Sequence, residues 1–181
     1  MKVLLAVDGS GFSKLAERVI AKQYRPENTE VCVVHALEWH RAIPACFSFA
    51  RGNTYGPQFD SAMKKSREQA AVLVSSVAHA LQERGFRAST AVVEGDPVFV
   101  ILGRAAEWGA DLIVMGSHGH TGLNRILFGS LSRAVARGAP GAVEIVCVSR
   151  PERTNKGAID GEFREPIRGC HAECQDFKSH H

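Results

Sequence analysis

The chain has 181 residues, 45% hydrophobic and 23% charged, with 22 Lys and Arg against 19 Asp and Glu and five Cys. One domain of this length buries roughly 70% of its unfolded surface and needs neither a disulfide framework nor a structural metal; the odd, scattered Cys suit a chain kept reduced in the cytoplasm. No run reaches the roughly 18 apolar residues of a membrane span, Asp8 interrupts the first apolar run before a secretory segment could form, and a net charge of +3 is a mild excess and not the clustered basic face of a nucleic-acid binder.

Val3–Val7 is a short apolar run that stops at Asp8-Gly-Ser-Gly, after which Leu15, Val19 and Ile20 recur at helical spacing: strand, tight turn, helix. Val31–Ala36 is a second strand. The stretch from Trp39 to Gln58, with two Pro, two Gly and no clean period, reads as a long loop. From Phe59 to Arg84 the apolar stripe Met63, Ala70, Leu73, Val74, Val77 and Leu81 marks a long amphipathic helix, stopped by Gly85. Ala88–Val93 is the third strand. Asp96 and Pro97 open a helix that buries Val98, Ile101, Leu102 and Ala105 and ends at Gly109. Leu112–Met115 is a fourth strand, apolar throughout and so covered on both faces. After a glycine-rich loop, Ser130–Arg137 is helical, Gly138 to Gly141 breaks it, and Val143–Val148 is the fifth strand; Cys32 and Cys147 fall inside strands as small core residues.

Strands alternating with helices predict an α/β chain with a single doubly wound parallel sheet, Rossmann-like, whose ligands bind beyond the carboxyl ends of the strands. The domain closes at residue 149. The remainder, 150–181, has six basic and six acidic residues and few apolar ones, and is expected to be a polar, poorly ordered extension.

Two loops could hold a ligand. Gly9-Ser10-Gly11 follows a strand and opens a helix, but Lys14 stands where a dinucleotide fingerprint needs its third glycine. The same residues are explained by a turn in which Ser10 caps the helix. Asp8 either points its carboxylate into the crevice, toward a base or ribose, or is a second cap. The loop after strand four is more specific: from Met115 and Gly116 to Ser132 it reads Gly-x2-Gly-x9-Gly-Ser. Gly116 and Gly119 let backbone approach an anion and take positive φ, Gly129-Ser130 opens a helix whose unpaired N–H groups favour phosphate, and Arg125 adds a cation.

With these motifs, residues 1–149 resemble the universal stress proteins, specifically their ATP-binding branch. The resemblance rests on the Asp8-Gly-Ser turn, Gly95-Asp-Pro97, the run from Ala110 to Gly116 and the full Gly-x2-Gly-x9-Gly-Ser loop. It implies a five-stranded sheet of order 3-2-1-4-5, related to the adenine nucleotide alpha-hydrolases, with ATP or a related adenine nucleotide in the crevice. It further implies a homodimer paired through the last strand, Val143–Val148. Carried over residue by residue, it puts Asp8 beside adenine and ribose with Val7, Gly9 and Ser10 around it, and the backbone near His35 and Ala36 on the adenine edge. Gly116, His118 and Gly119 would follow the ribose and phosphates, and Gly129, Ser130, Leu131 and Ser132 would cradle the β- and γ-phosphates. The Cys-Pro or Cys-Ser pair that often precedes the family's last strand is replaced by Gly141-Ala142, which bears on where that strand begins.

Other signals weigh less. His118 and His120 have no third ligand of known spacing, so a divalent ion such as Mg2+ or Mn2+ riding on the nucleotide is favoured over a protein-built metal site. Cys170, Cys174 and the terminal His residues sit in the polar tail. No P-loop occurs, and nothing beside His118 completes a phosphoryl-transfer constellation. The expected function is a cytoplasmic, ATP-binding regulatory module, with a slow ATPase or phosphotransferase as the alternative and a nicotinamide oxidoreductase as a third possibility.

Overall fold

The computed structural model describes residues 1–38, 57–117 and 129–147. Five strands, β1 (Lys2–Ala6), β2 (Glu30–Leu37), β3 (Arg87–Glu94), β4 (Leu112–Gly116) and β5 (Ala142–Val146), alternate with four helices, α1 (Gly11–Gln23), α2 (Pro57–Gln82), α3 (Pro97–Trp108) and α4 (Ser130–Gly138). A 3₁₀ turn at Pro26–Asn28, which the sequence pattern does not announce, leads into β2. The sheet runs β3-β2-β1-β4-β5 and every pair is parallel, as the doubly wound reading requires.

Alternation along each strand sorts the core into two layers. Val3, Leu5, Val31, Val33 and Val114 face α1 and α2, where Ala16, Ile20, Val74, Val77 and Leu81 close over them. Leu4, Cys32, Val34, Ile113 and Met115 face α3 and α4 and meet Val100, Ile101, Ala105 and Val135. The central strands are apolar on both sides because both sides are covered. Each fully buried Leu or Val there stabilises the fold by about 1.5–3 kcal/mol.

Helix ends follow the local chemistry. Asp96 Oδ1 accepts from the N–H groups of Val98 and Phe99 at 2.9 and 3.4 Å, with Pro97 at the first helical position. Gly109 closes α3 at φ 67, and the Ala110 N–H reaches back to Ala105 O at 2.9 Å.

The last strand corrects the sequence reading. β5 begins at Ala142 and ends at Val146, not Val143–Val148. Its length is set by its neighbour: β4 ends at Gly116, which pairs Val146, so Cys147 follows outside the ladder, and Val148 lies outside the described residues. Cys147 is therefore exposed and outside the core, whereas Cys32 is buried as expected. The 150–181 extension, residues 39–56 of the long loop, and Cys46, Cys170 and Cys174 lie outside the described residues. Among the described residues no helix is long and apolar enough to cross a membrane.

Candidate functional site

Strand order reverses between β1 and β4, so the connections leaving these two strands part to opposite faces and open a crevice at the carboxyl edge. The pieces that border it come from β1, β2, β4 and the start of α4.

On the β1 side the ladder continues one bond past the strand, with the Val7 N–H donating to Val34 O at 2.9 Å. Asp8 Oδ1 then accepts from the Ser10 N–H at 2.9 Å, and Gly9 takes φ 81, a left-handed conformation that only glycine adopts without steric cost. Ser10 caps α1: its Oγ accepts from the Ser13 N–H at 3.3 Å while Ser13 Oγ donates to Ser10 O at 3.0 Å. Of the two roles open for Asp8, the cap belongs to Ser10, and Asp8 braces the turn with its carboxylate at the crevice.

β2 outruns β1. Pairing between them ends at Ala6 with Val34, yet β2 continues to Leu37. In a parallel ladder alternate residues turn both polar groups to the same side. Val34 faces β1, and Leu37 faces β3, where its carbonyl accepts from the Gly95 N–H at 3.1 Å. Ala36 therefore directs its N–H and C=O toward the β1 side, beyond the point where β1 stops. The neighbouring His35 ring donates from Nδ1 to Val7 O at 2.7 Å, which places its proton on Nδ1 because a carbonyl only accepts.

On the β4 side, Gly116 is glycine for a reason the motif did not show. Its φ is not positive; instead a Cβ there would stand 2.6 Å from Phe12 Cβ and 3.0 Å from the Phe12 carbonyl carbon, so the first turn of α1 requires the bare backbone. Met115 is buried in the layer facing α3 and α4. The Ser117 N–H donates to Val146 O at 2.9 Å, and Ser117 O accepts from the Gly129 N–H at 2.9 Å. The hydroxyl of buried Ser132 is shared between Gly129 O at 3.0 Å and Ser117 O at 3.3 Å. Both ends of the glycine-rich loop are thus stitched together. His118, Gly119 and Arg125, with His120, lie outside the described residues.

α4 starts at this seam. Its N-cap, Gly129, has no side chain to satisfy the first amides, and the first intrahelical bond is Arg133 N–H to Gly129 O at 3.1 Å. The N–H groups of Ser130, Leu131 and Ser132 consequently have no intrahelical partner and carry the positive end of the helix dipole. This is the geometry of an anion cradle. Because the Ser132 hydroxyl is committed to the loop carbonyls, its amide is what it can offer a phosphate.

Beside Asp8 and His35 lies an open cleft of about 240 Å³, walled by Leu37 and by Ser66, Gln69, Ala70 and Leu73 of α2. As the described residues form it, the cleft has room for a group the size of a base. Sequence reasoning missed its α2 wall. A signal existed: the helical stripe through Ala70 and Leu73 turns polar at Ser66 and Gln69, where the helix passes the end of the sheet. Among the described residues no cluster of metal-ligating side chains forms.

A family model described as the universal stress protein family matches residues 1–146. The chain is 32% identical over 139 residues to universal stress protein A homolog 2 of Coxiella burnetii, covering 76% of this chain and 86% of that one. The solved structure of MJ0577, a universal stress protein of Methanocaldococcus jannaschii, matches with a TM-score of 0.68 at 25% identity, over 83% of this chain and 96% of that one. The universal stress protein from Archaeoglobus fulgidus in complex with dAMP has the same fold, with a TM-score of 0.52 at 22% identity over 80% and 96%.

Proposed function

The chain belongs to the universal stress protein family, and from that premise we propose that it is a cytoplasmic regulatory module of the stress response that binds ATP. The observation that carries this reading is the uncapped start of α4, held by Ser117 and Gly129 at the end of β4 and next to the end of β1. A phosphate group is the kind of ligand that such N–H donors favour, and the triphosphate of ATP supplies one. The cleft beside Asp8 offers room for the base, and the fold accommodates an adenine nucleotide in the Archaeoglobus protein.

In this reading Asp8 receives the ribose and base, with Val7, Gly9 and Ser10 around it, and the backbone of Ala36 reads the adenine edge. Met115, Gly116, His118 and Gly119 follow the ribose and phosphates, Arg125 supplies a cation, and the amides of Ser130, Leu131 and Ser132 hold the β- and γ-phosphates. A divalent ion, Mg2+ or Mn2+, accompanies the nucleotide on its phosphates. The output is a changed interaction: a ligand with different affinities for two arrangements of the chain shifts their populations. Two copies pair through β5, an edge strand with one side unpaired among the described residues.

Calorimetric titration with ATP tests the assignment. Gly129 has φ −60 and ψ 161, a region open to any residue, so Gly129→Val fills the cradle without straining the backbone. Wild type should bind and the variant should bind about tenfold more weakly or worse, the loss expected when hydrogen bonds to a charged group are broken. ATP binding to neither, or equally to both, overturns the assignment. Multi-turnover release of phosphate from ATP would favour the hydrolase instead.

A further inference from the structure

We propose that His35 is a positioning residue whose ring, by taking the Val7 carbonyl, keeps the Ala36 N–H open to read the acceptor edge of an adenine base; the base-reading half rests on the nucleotide reading above. The starting point is a ladder that stops early. Val34 bonds across to the Val7 N–H, and in a parallel sheet the next bond would run from the Ala36 N–H to Val7 O. That carbonyl instead accepts from His35 Nδ1 at 2.7 Å. A bond further on, from the Gly9 N–H to Ala36 O, would complete a bridge between Asp8 and Ala36, but Gly9 at φ 81 turns the chain into α1.

Two local devices thus leave one residue of β2 with both polar groups directed into the crevice: the Gly9 turn for the carbonyl, the His35 ring for the N–H. A carbonyl can accept two bonds, but among the described residues none runs from the Ala36 N–H to Val7 O; with the ring seated on that oxygen at 2.7 Å, a half-buried N–H awaits another acceptor. A donor beside an acceptor along one strand matches adenine, whose Watson–Crick edge presents the N1 acceptor next to the N6 donor. Guanine presents the reverse pair there, and both contacts would oppose like with like. The ring also lines the cleft with Asp8 and Gln69, so it borders the space where the base would lie.

His35→Val removes the ring while keeping a residue suited to a strand. His35→Asn returns an N–H donor near the place of Nδ1. The first measurement is amide hydrogen exchange on the full-length, nucleotide-free protein. In wild type the Ala36 amide should exchange much faster than that of Val34, which shares its side of the strand. In His35→Val it should slow by about tenfold or more as Val7 O takes it up, and His35→Asn should restore fast exchange. The second is titration with ATP and GTP. His35→Val should lose about tenfold in ATP affinity and most of the ATP-over-GTP preference, with His35→Asn recovering both.

An Ala36 amide as protected in wild type as Val34 overturns the proposal, and so does His35→Val with unchanged exchange or unchanged base preference. Should wild type bind no nucleotide while the exchange contrast holds, the nucleotide reading falls and the base-reading role with it, whereas the ring's hold on the ladder stands. A merely structural histidine would lower the melting temperature of the free protein without moving either readout.

Discussion

The Tyr24 hydroxyl donates to Glu144 Oε2 at 2.7 Å, tying the residue that closes α1 to the middle of the edge strand 120 positions later in the sequence. Burial first, then the hydrogen bond and negative charge of Glu144, push the Tyr24 phenol well above its ordinary value. Tyr24→Phe should therefore cost about 1 kcal/mol, a fall in melting temperature of roughly 2–4 °C for a protein of this size. The raised folded value gives the sign of the pH effect. This contribution is fully present below the unfolded phenol value, near pH 10, and is lost as pH rises through the folded value. Denaturation of wild type and variant at pH 8 and pH 11 should show the gap narrowing at the higher pH; a gap that widens refutes the link.

Gly116→Ala should destabilise by about 1–3 kcal/mol, because the added methyl meets Phe12 Cβ at 2.6 Å and backbone behind it. Phe12→Ala retains the offending Cβ and should not rescue it. Urea denaturation of the two single variants and the double variant checks this, and recovery in the double would place the conflict on the Phe12 ring instead.

Ser132→Ala removes the hydroxyl that bridges Gly129 O and Ser117 O, while the Gly129 N–H to Ser117 O bond remains. The expected cost is about 1 kcal/mol of stability, since the buried Ser117 carbonyl and the half-buried Gly129 carbonyl each lose one of two donors. ATP affinity should fall through a looser seam at the start of α4, although the Ser132 amide is intact. Thermal melts and calorimetry separate the two effects; unchanged stability would show that the seam does not depend on this hydroxyl.

The two described cysteines should differ sharply toward a thiol reagent. Cys147 is exposed and should label within minutes in the native protein, whereas Cys32, buried between β1 and β3, should label only when the chain unfolds. Peptide mapping after a timed pulse of iodoacetamide reads both in one sample. Equal labelling would contradict the placement of β5.

Much of the fold was legible because its signals are local. The apolar runs through Val3, Val31 and Leu112 are strands wherever they lie, and Asp96-Pro97 with Gly109 brackets a helix by chemistry confined to its ends. The glycine-rich spacing marked a candidate anion site in the same way, and the residues at its two ends, Ser117 and Gly129, are hydrogen-bonded to each other. What could not be read was anything that depends on a neighbour distant in sequence. The apolar pattern extends β5 to Cys147, but a strand lasts only as long as its partner, and β4 stops at Gly116.

By itself, then, the sequence determined the alternation of strands and helices, the two buried faces of the sheet and the family to which the chain belongs, because periodicity, caps and motif spacing act over a few residues. The tertiary structure alone decided why Gly116 must be glycine, which turn of α2 walls the cleft, and that the His35 ring reaches the Val7 carbonyl at the end of β1. Those outcomes depend on where one element ends beside another. Register and close approach are properties of pairs of segments, and no single stretch of sequence contains them.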